Sequence, residues 1–444
     1  MTSPTDAPAP APAPASALER LLARVVEVRP GEIAALLHAF AFFFAVLTAY
    51  YIIRPVRDEM GFMLTKADPE ALQKLFVYVF LIMLAAVPVF GTVVAKVRLR
   101  YVVPAVYGFF IANLIGFWFL LESRGQTPAM ARVFFVWGSI FNLFVISLFW
   151  SVMSEVWQSG QAKRLYGFIA AGGSIGAMTG PFIAQSLVTR IGTDNLLLIS
   201  AVFLALALVL SLRLRTLIAG AGVQGEAAVP DGSGILAGAL MVARSPYLMA
   251  IALWVFLANL ILTHFYLEQA RIVGAAIVDR AARVQLLGRI DLTVSVVTIV
   301  LQILATGRVM SRFGLGLATA CLPLVAIGGF IALAIAPVAS VIVTIVVAER
   351  ALGFAFANPA ARVLWTVVEP EAKYKAQSFV DTVVFRAGDA GSGWVFGWMS
   401  KSLGFGGGAI AFWTVPFAAG WLMLSLVLAR MHAAKAEPNG GRTG

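Results

Sequence analysis

Cysteine is nearly missing from this chain. Its one thiol, Cys321 in 444 residues, leaves no intrachain disulfide framework and no cysteine-based metal cluster. Histidine is almost as scarce, and His38, His264 and His432 lie too scattered for a zinc site, so no metal is expected. Charge is also thin. Asp, Glu, Lys and Arg make up 12% of the residues, against about 25% in soluble globular chains, too few to cover a water-exposed surface. A Gly-rich phosphate loop ending in Gly-Lys-Ser/Thr is absent, and so is a Gly-x-Ser-x-Gly elbow. These gaps argue against ATP hydrolysis, against a membrane-embedded enzyme, and against a bound cofactor. The net charge of +11 sits in short basic clusters between apolar runs. Such clusters set membrane topology and do not build a nucleic-acid face.

What remains is hydrophobic: 60% of the chain. A bilayer core asks for about 20 apolar residues per helix. Runs of that length fall at 33–53, 72–95, 101–121, 133–157, 166–188, 195–213, 247–267, 285–306, 315–336, 338–358, 379–400 and 408–430, the ninth and tenth parted only by Ala336-Pro337. They predict an all-α integral membrane protein of twelve transmembrane helices. Placing the N-terminus inside puts nineteen basic residues in inner segments and eleven in outer ones, with Arg289, Arg350 and Arg386 inside spans. That bias predicts two cytoplasmic termini, in a bacterial inner membrane.

Before the first span, residues 1–16 are a Pro/Ala-rich tail expected to be disordered. Residues 17–31 read as an amphipathic interfacial helix, with Leu18, Leu21, Leu22, Val25 and Val26 on one face. Midway, residues 215–246 carry Gly220-Ala221-Gly222 and Pro230-Asp231-Gly232-Ser233-Gly234, the composition of a flexible cytoplasmic linker. It divides a bundle at 32–214 from a second at 247–431, with a tail at 432–444. Gly91-Thr-Val-Val-Ala-Lys96 after span two is echoed by Gly307-Arg-Val-Met-Ser-Arg312 after span eight, and Ala162-Lys163 before span five by Ala372-Lys373 before span eleven. Two six-helix pseudo-repeats follow, a common plan among transporters.

This layout, with the Gly-x-x-x-small-basic turns, resembles the major facilitator superfamily, although Ala95 and Ser311 stand where its signature loop carries Asp. Tyr51-Ile-Ile-Arg54-Pro-Val-Arg57-Asp58-Glu59 and Gln161-Ala-Lys163-Arg164-Leu-Tyr166-Gly167 are similar to two segments of the ATP/ADP translocase family. Arg57, Gln161 and Leu165 replace that family's Lys, Glu and Phe. The resemblance implies exchange of nucleotides or related phosphorylated metabolites. A monomer is expected, its partners the bilayer and a small, anionic molecule.

Ionisable groups inside spans cost roughly 2.5–3.5 kcal/mol each at mid-helix and ask for a partner or a purpose. Arg289, Asp291, Glu349, Arg350, Asp381, Arg386 and Asp389 are such groups, with Glu155 nearer a span end. They are read either as an internal charge network or as a substrate or proton site. Glu155, Asp291, Glu349 and Asp381 are the candidate proton carriers. Arg54 and Arg57 are read either as phosphate ligands or as interfacial anchors paired with Asp58 and Glu59. Arg289, Arg386 and Asn142 complete the substrate candidates. Gly172, Gly176 and Gly180 share one face of span five and predict close helix packing.

Overall fold

The computed structural model describes residue 28 and residues 32–67, 70–157, 159–219 and 234–436. The expected tail and interfacial helix before residue 28, the glycine-rich part of the linker, and residues 437–444 lie outside these.

Ten helical stretches are long and apolar enough to cross a membrane. One of them, Arg280–Ile335, contains two spans. Gly314 divides it with φ 72° and ψ −175°, a conformation essentially reserved for glycine. Span eight therefore stays helical up to residue 313, past its expected end at 306. A further span, the eleventh, runs through Pro370–Phe379, Val380–Val384 and Phe385–Ser402, its apolar character diluted by glycine, Asp381, Arg386 and Asp389. That makes twelve. The first six are Ile33–Ala67, Ala71–Lys96, Leu99–Arg124, Pro128–Val156, Ser159–Ile191 and Asn195–Ala219. Span seven is Pro246–Ala276, span ten begins at Ala339, and span twelve is Gly407–Ala436. The fold is an all-α arrangement of twelve membrane-crossing helices in two six-helix halves.

Local chemistry sets where several spans begin. Thr127 accepts a hydrogen bond from Met130 N at 3.2 Å ahead of Pro128, and Ser245 accepts one from Leu248 N at 3.4 Å ahead of Pro246. A hydroxyl cap followed by proline satisfies one free N–H and removes another. We call the face that carries the connections at 125–127, 192–194 and 277–279 the far face, and the opposite one the near face.

Within the expected linker, Gly234–Arg244 is helical. It lies against the start of span eleven, where a Cβ on Gly238 would meet the Lys375 carbonyl. Gly238 thus serves close packing.

Glycine also sets the helix pairs inside each half. A Cβ on Gly176 would sit 2.5 Å from the Phe44 carbonyl oxygen, and one on Gly180 2.6 Å from Tyr51 Cβ, while one on Gly172 would overlap the Phe40 carbonyl. Span five thus rests on span one backbone to backbone. In the second half, a Cβ on Gly388 would sit 2.7 Å from the Phe256 carbonyl, so span eleven rests on span seven in the equivalent way. Close approach of this kind replaces the hydrophobic effect as the cohesive force in lipid. Gly176→Leu is expected to destabilise the bundle by about 1–3 kcal/mol, read as a fall in the unfolding temperature of the detergent-purified protein; an unchanged value would put that face toward lipid.

Between the halves, spans five and eight meet where a Cβ on Gly288 would lie 3.1 Å from Gln185 Cβ. Spans two and eleven meet where one on Gly393 would lie 2.9 Å from Gln73 Cβ. The second half also carries π-helical turns at Gln302–Thr306, Gly353–Ala357 and Val380–Val384. Two of them face each other: Gln302 Nε2 donates to the Phe354 carbonyl at 3.2 Å and Thr306 Oγ1 to that of Ala355 at 2.8 Å.

Candidate functional site

Span one carries its ionic segment past its midpoint, toward the far face, and Pro55 stands inside the helix. The turn sends neighbouring side chains in different directions. Arg57 grips Asp58 Oδ1 with Nε at 3.0 Å and Nη2 at 2.7 Å, and its guanidinium lies 4.8 Å from the Phe135 ring centroid. The same Asp58 oxygen accepts from Tyr266 Oη of span seven at 2.9 Å. Arg54 reaches Asp291 of span eight at 3.6 Å. Asp291 is held more tightly by Arg350 of span ten, at 2.6 Å. Asp58 and Asp291 are buried, 5% and 4% exposed, so both arginine pairs lie largely out of water.

These groups surround a cavity of about 40 Å³ that Glu349 also lines. That is room for about one water molecule. Glu349 faces Arg350 and Arg54 but makes no ion pair or hydrogen bond among the described residues. Arg54, Arg57 and Arg350 stand against Asp58, Asp291 and Glu349, three charges of each sign.

A second layer lies closer to the far face. Glu59, wholly buried, takes Arg283 Nη2 at 2.6 Å, Arg280 Nε at 3.2 Å and Gln126 Nε2 at 3.1 Å. Arg280 also reaches Asp194 at 2.8 Å. At the rim, Lys401 of span eleven meets Glu70 at 2.6 Å. The ion pairs that join the two halves among the described residues are these and Arg54–Asp291. All lie from the cavity outward to the far face.

Of the residues expected at a site, Arg54, Asp291, Glu349 and Arg350 are brought together, with Arg57 adjoining through Asp58. The others are not. Arg289 is exposed, on a stripe with Val296 and Val300, because one helix places it opposite Asp291. Arg386 pairs with Asp389 at 3.2 Å, and Asp389 also accepts from Thr263 at 2.9 Å. Arg386 and Asp381 line a separate apolar cavity of about 240 Å³ between spans two, four and eleven. Asp381 pairs with Arg362 at an exposed position, and Glu155 with Arg215 at 2.7 Å. Asn142 is half-buried on span four, with no partner for its Oδ1 among the described residues. Tyr266, Arg280, Arg283 and Gln126 carry no signal in the sequence. Their partners stand 67 to 224 residues away, so no local pattern announces them.

No family model matches the chain, and no curated relative does. Solved structures do. A POT family transporter in complex with 5-aminolevulinic acid is 12% identical with TM-score 0.63, over 90% of this chain and 96% of that one. The nucleoside transporter NupG is 15% identical with TM-score 0.55, over 92% and 100%. A bacterial homolog of the human lysosomal transporter Spinster, inward-facing and unoccupied, is 13% identical with TM-score 0.53, over 92% and 96%. Likeness at this identity establishes the fold, that of multi-pass membrane transporters.

Proposed function

We propose that this chain is a secondary transporter working by alternating access, with its near face cytoplasmic and its far face closed in this conformer. The observation that carries the reading is the stacked set of inter-half ion pairs between Arg54–Asp291 and Lys401–Glu70, which among the described residues run from the cavity to the far face. Ion pairs between rigid bundles are ties that can be broken and remade as the halves rock about a central site.

The cargo is a small anion, nucleotides and other phosphorylated metabolites being the class that the Arg54–Glu59 and Gln161–Gly167 segments imply. Arginine keeps its charge when buried and matches phosphate oxygens in a fork. In this conformer the protein's own carboxylates occupy the forks of Arg54, Arg57 and Arg350, and the cavity is too small for a metabolite. That is the arrangement expected of an empty transporter. Proteoliposomes loaded with ADP are expected to take up labelled ADP faster than unloaded ones. Uptake of other anions without ADP would remove the nucleotide assignment; failure to move any of a panel of phosphorylated and carboxylate compounds would remove transport.

A further inference from the structure

Glu349 is the carboxyl group of the cavity without a partner among the described residues. Asp291 is shared by two arginines, and Asp58 holds Arg57 and Tyr266. Glu349 lines the cavity together with Arg54 and Asp58 from span one, Tyr266 from span seven, Asp291 from span eight and Arg350 on its own helix, and the two arginines are the charges that act on it. Span nine offers Cys321, whose thiol donates to its own helix at Ala318. None of these makes an ion pair or hydrogen bond with Glu349 among the described residues, so its carboxylate can take up a proton without breaking one.

We propose that Glu349 is a proton-binding site that couples one proton to one negative charge of substrate, making the carrier a proton–anion cotransporter. This rests on the transporter reading above, and charge balance carries it. With Glu349 ionised the cluster holds three positive and three negative groups. With Glu349 protonated it holds one excess positive charge, and an anion beside Arg54 cancels that charge. The empty cluster and the cluster holding both the proton and one negative charge of the anion are therefore neutral. Proton alone or anion alone leaves a net charge in a low-dielectric interior, which is costly. The two neutral states can pass through the occluded conformation, and the two charged states cannot do so readily. Coupling follows without any further device.

The same balance sets a direction for the gate. Ionised Glu349 adds a second carboxylate from the second half to hold Arg54 of the first, which favours closure of the far face. Protonation leaves Asp291, already shared with Arg350, as the one carboxylate of the second half on Arg54 among the described residues, and favours opening.

Two measurements need no known substrate, so their failure is separable from failure of transport. In infrared difference spectra between acid and alkaline buffer, the protein should show a protonated-carboxyl band that Glu349→Gln lacks and Glu349→Asp retains. Spin labels at Ser123 and Val278, one on each half at the far face, should report longer distances in acid than in alkaline buffer. Glu349→Gln should show the acid distribution at both. Glu349→Gln breaks no ion pair, and an unchanged unfolding temperature checks its fold. Dimethyl phosphate, an anion of fixed single charge, should protect wild type from thermal unfolding in acid buffer only, and Glu349→Gln in both buffers. A band that survives Glu349→Gln, label distances that ignore pH, or protection that is absent or independent of pH in wild type would overturn the proposal.

Discussion

Replacing Glu59 by Gln is expected to open the far face of the protein, because it leaves Arg283 buried without a counter-ion and takes one of two carboxylates from Arg280. Arg283 is 4% exposed and Glu59 wholly buried. Removing one partner of a buried pair costs about 3–5 kcal/mol, and each 1.4 kcal/mol is roughly tenfold in an equilibrium. The cost falls on the closed conformer alone, since opening restores water to Arg283. The closed-to-open ratio should thus fall by more than about a hundredfold. In a Cys321→Ala background, labels at Ser123 and Val278 should move from a short to a long distance. The double variant Glu59→Gln, Arg283→Met leaves no buried charge without a partner on that helix pair and should return much of the population to the short distance. A Glu59→Gln variant with unchanged distances would mean that glycine packing of spans five on eight and two on eleven, not the ion pairs, keeps this face shut.

Asp291→Asn should have an effect of similar size for a different reason. Among the described residues Asp291 is the ion-pair acceptor of Arg350, and it is the nearest acceptor that Arg54 has. Its neutralisation leaves the cluster with three positive groups against Asp58 and Glu349. A loss of about 3–5 kcal/mol in stability is expected, read by thermal unfolding in detergent. Adding Arg350→Gln restores the balance and should recover most of the loss, whereas adding Arg57→Gln would free Asp58 and should recover less. Equal recovery by the two second changes would show that only net charge matters at this site, and not which arginine Asp291 holds.

The membrane-crossing plan was legible because a run of twenty apolar residues, repeated down a chain with so little charge, has hardly any place to go but a bilayer. The Ala336-Pro337 hairpin and the glycine face of span five were legible for related reasons: proline and glycine act locally, on their own turn of helix. The break at Gly314 was readable only in part, since basic residues and glycine there mark an end without showing how far the helix continues. Helix 234–244 was obscured by the glycine-rich stretch before it. At the candidate site, intramembrane charge marked spans eight and ten along with span eleven, which lies elsewhere, and periodicity around a helix was needed to separate Asp291 from Arg289, two positions and half a turn apart. The pairing of Glu59 with Arg283 depends on how two bundles dock, and nothing near either residue encodes that.

The three π turns in the second half bear on how far the two halves can still be matched residue for residue. Such a turn amounts to one extra residue in an α-helix, and one residue is about 100° of rotation. Beyond Thr306, Ala357 and Val384, every side chain has therefore been turned by more than a quarter of a circle from where an uninterrupted helix would aim it. No π turn occurs in the first half among the described residues. A duplicated ancestor would have lost its shared register at these three places by single-residue insertions, each rotating the residues that follow it without moving the helix axis. Deleting one residue within Gln302–Thr306 is the change by which span eight regains the older phase.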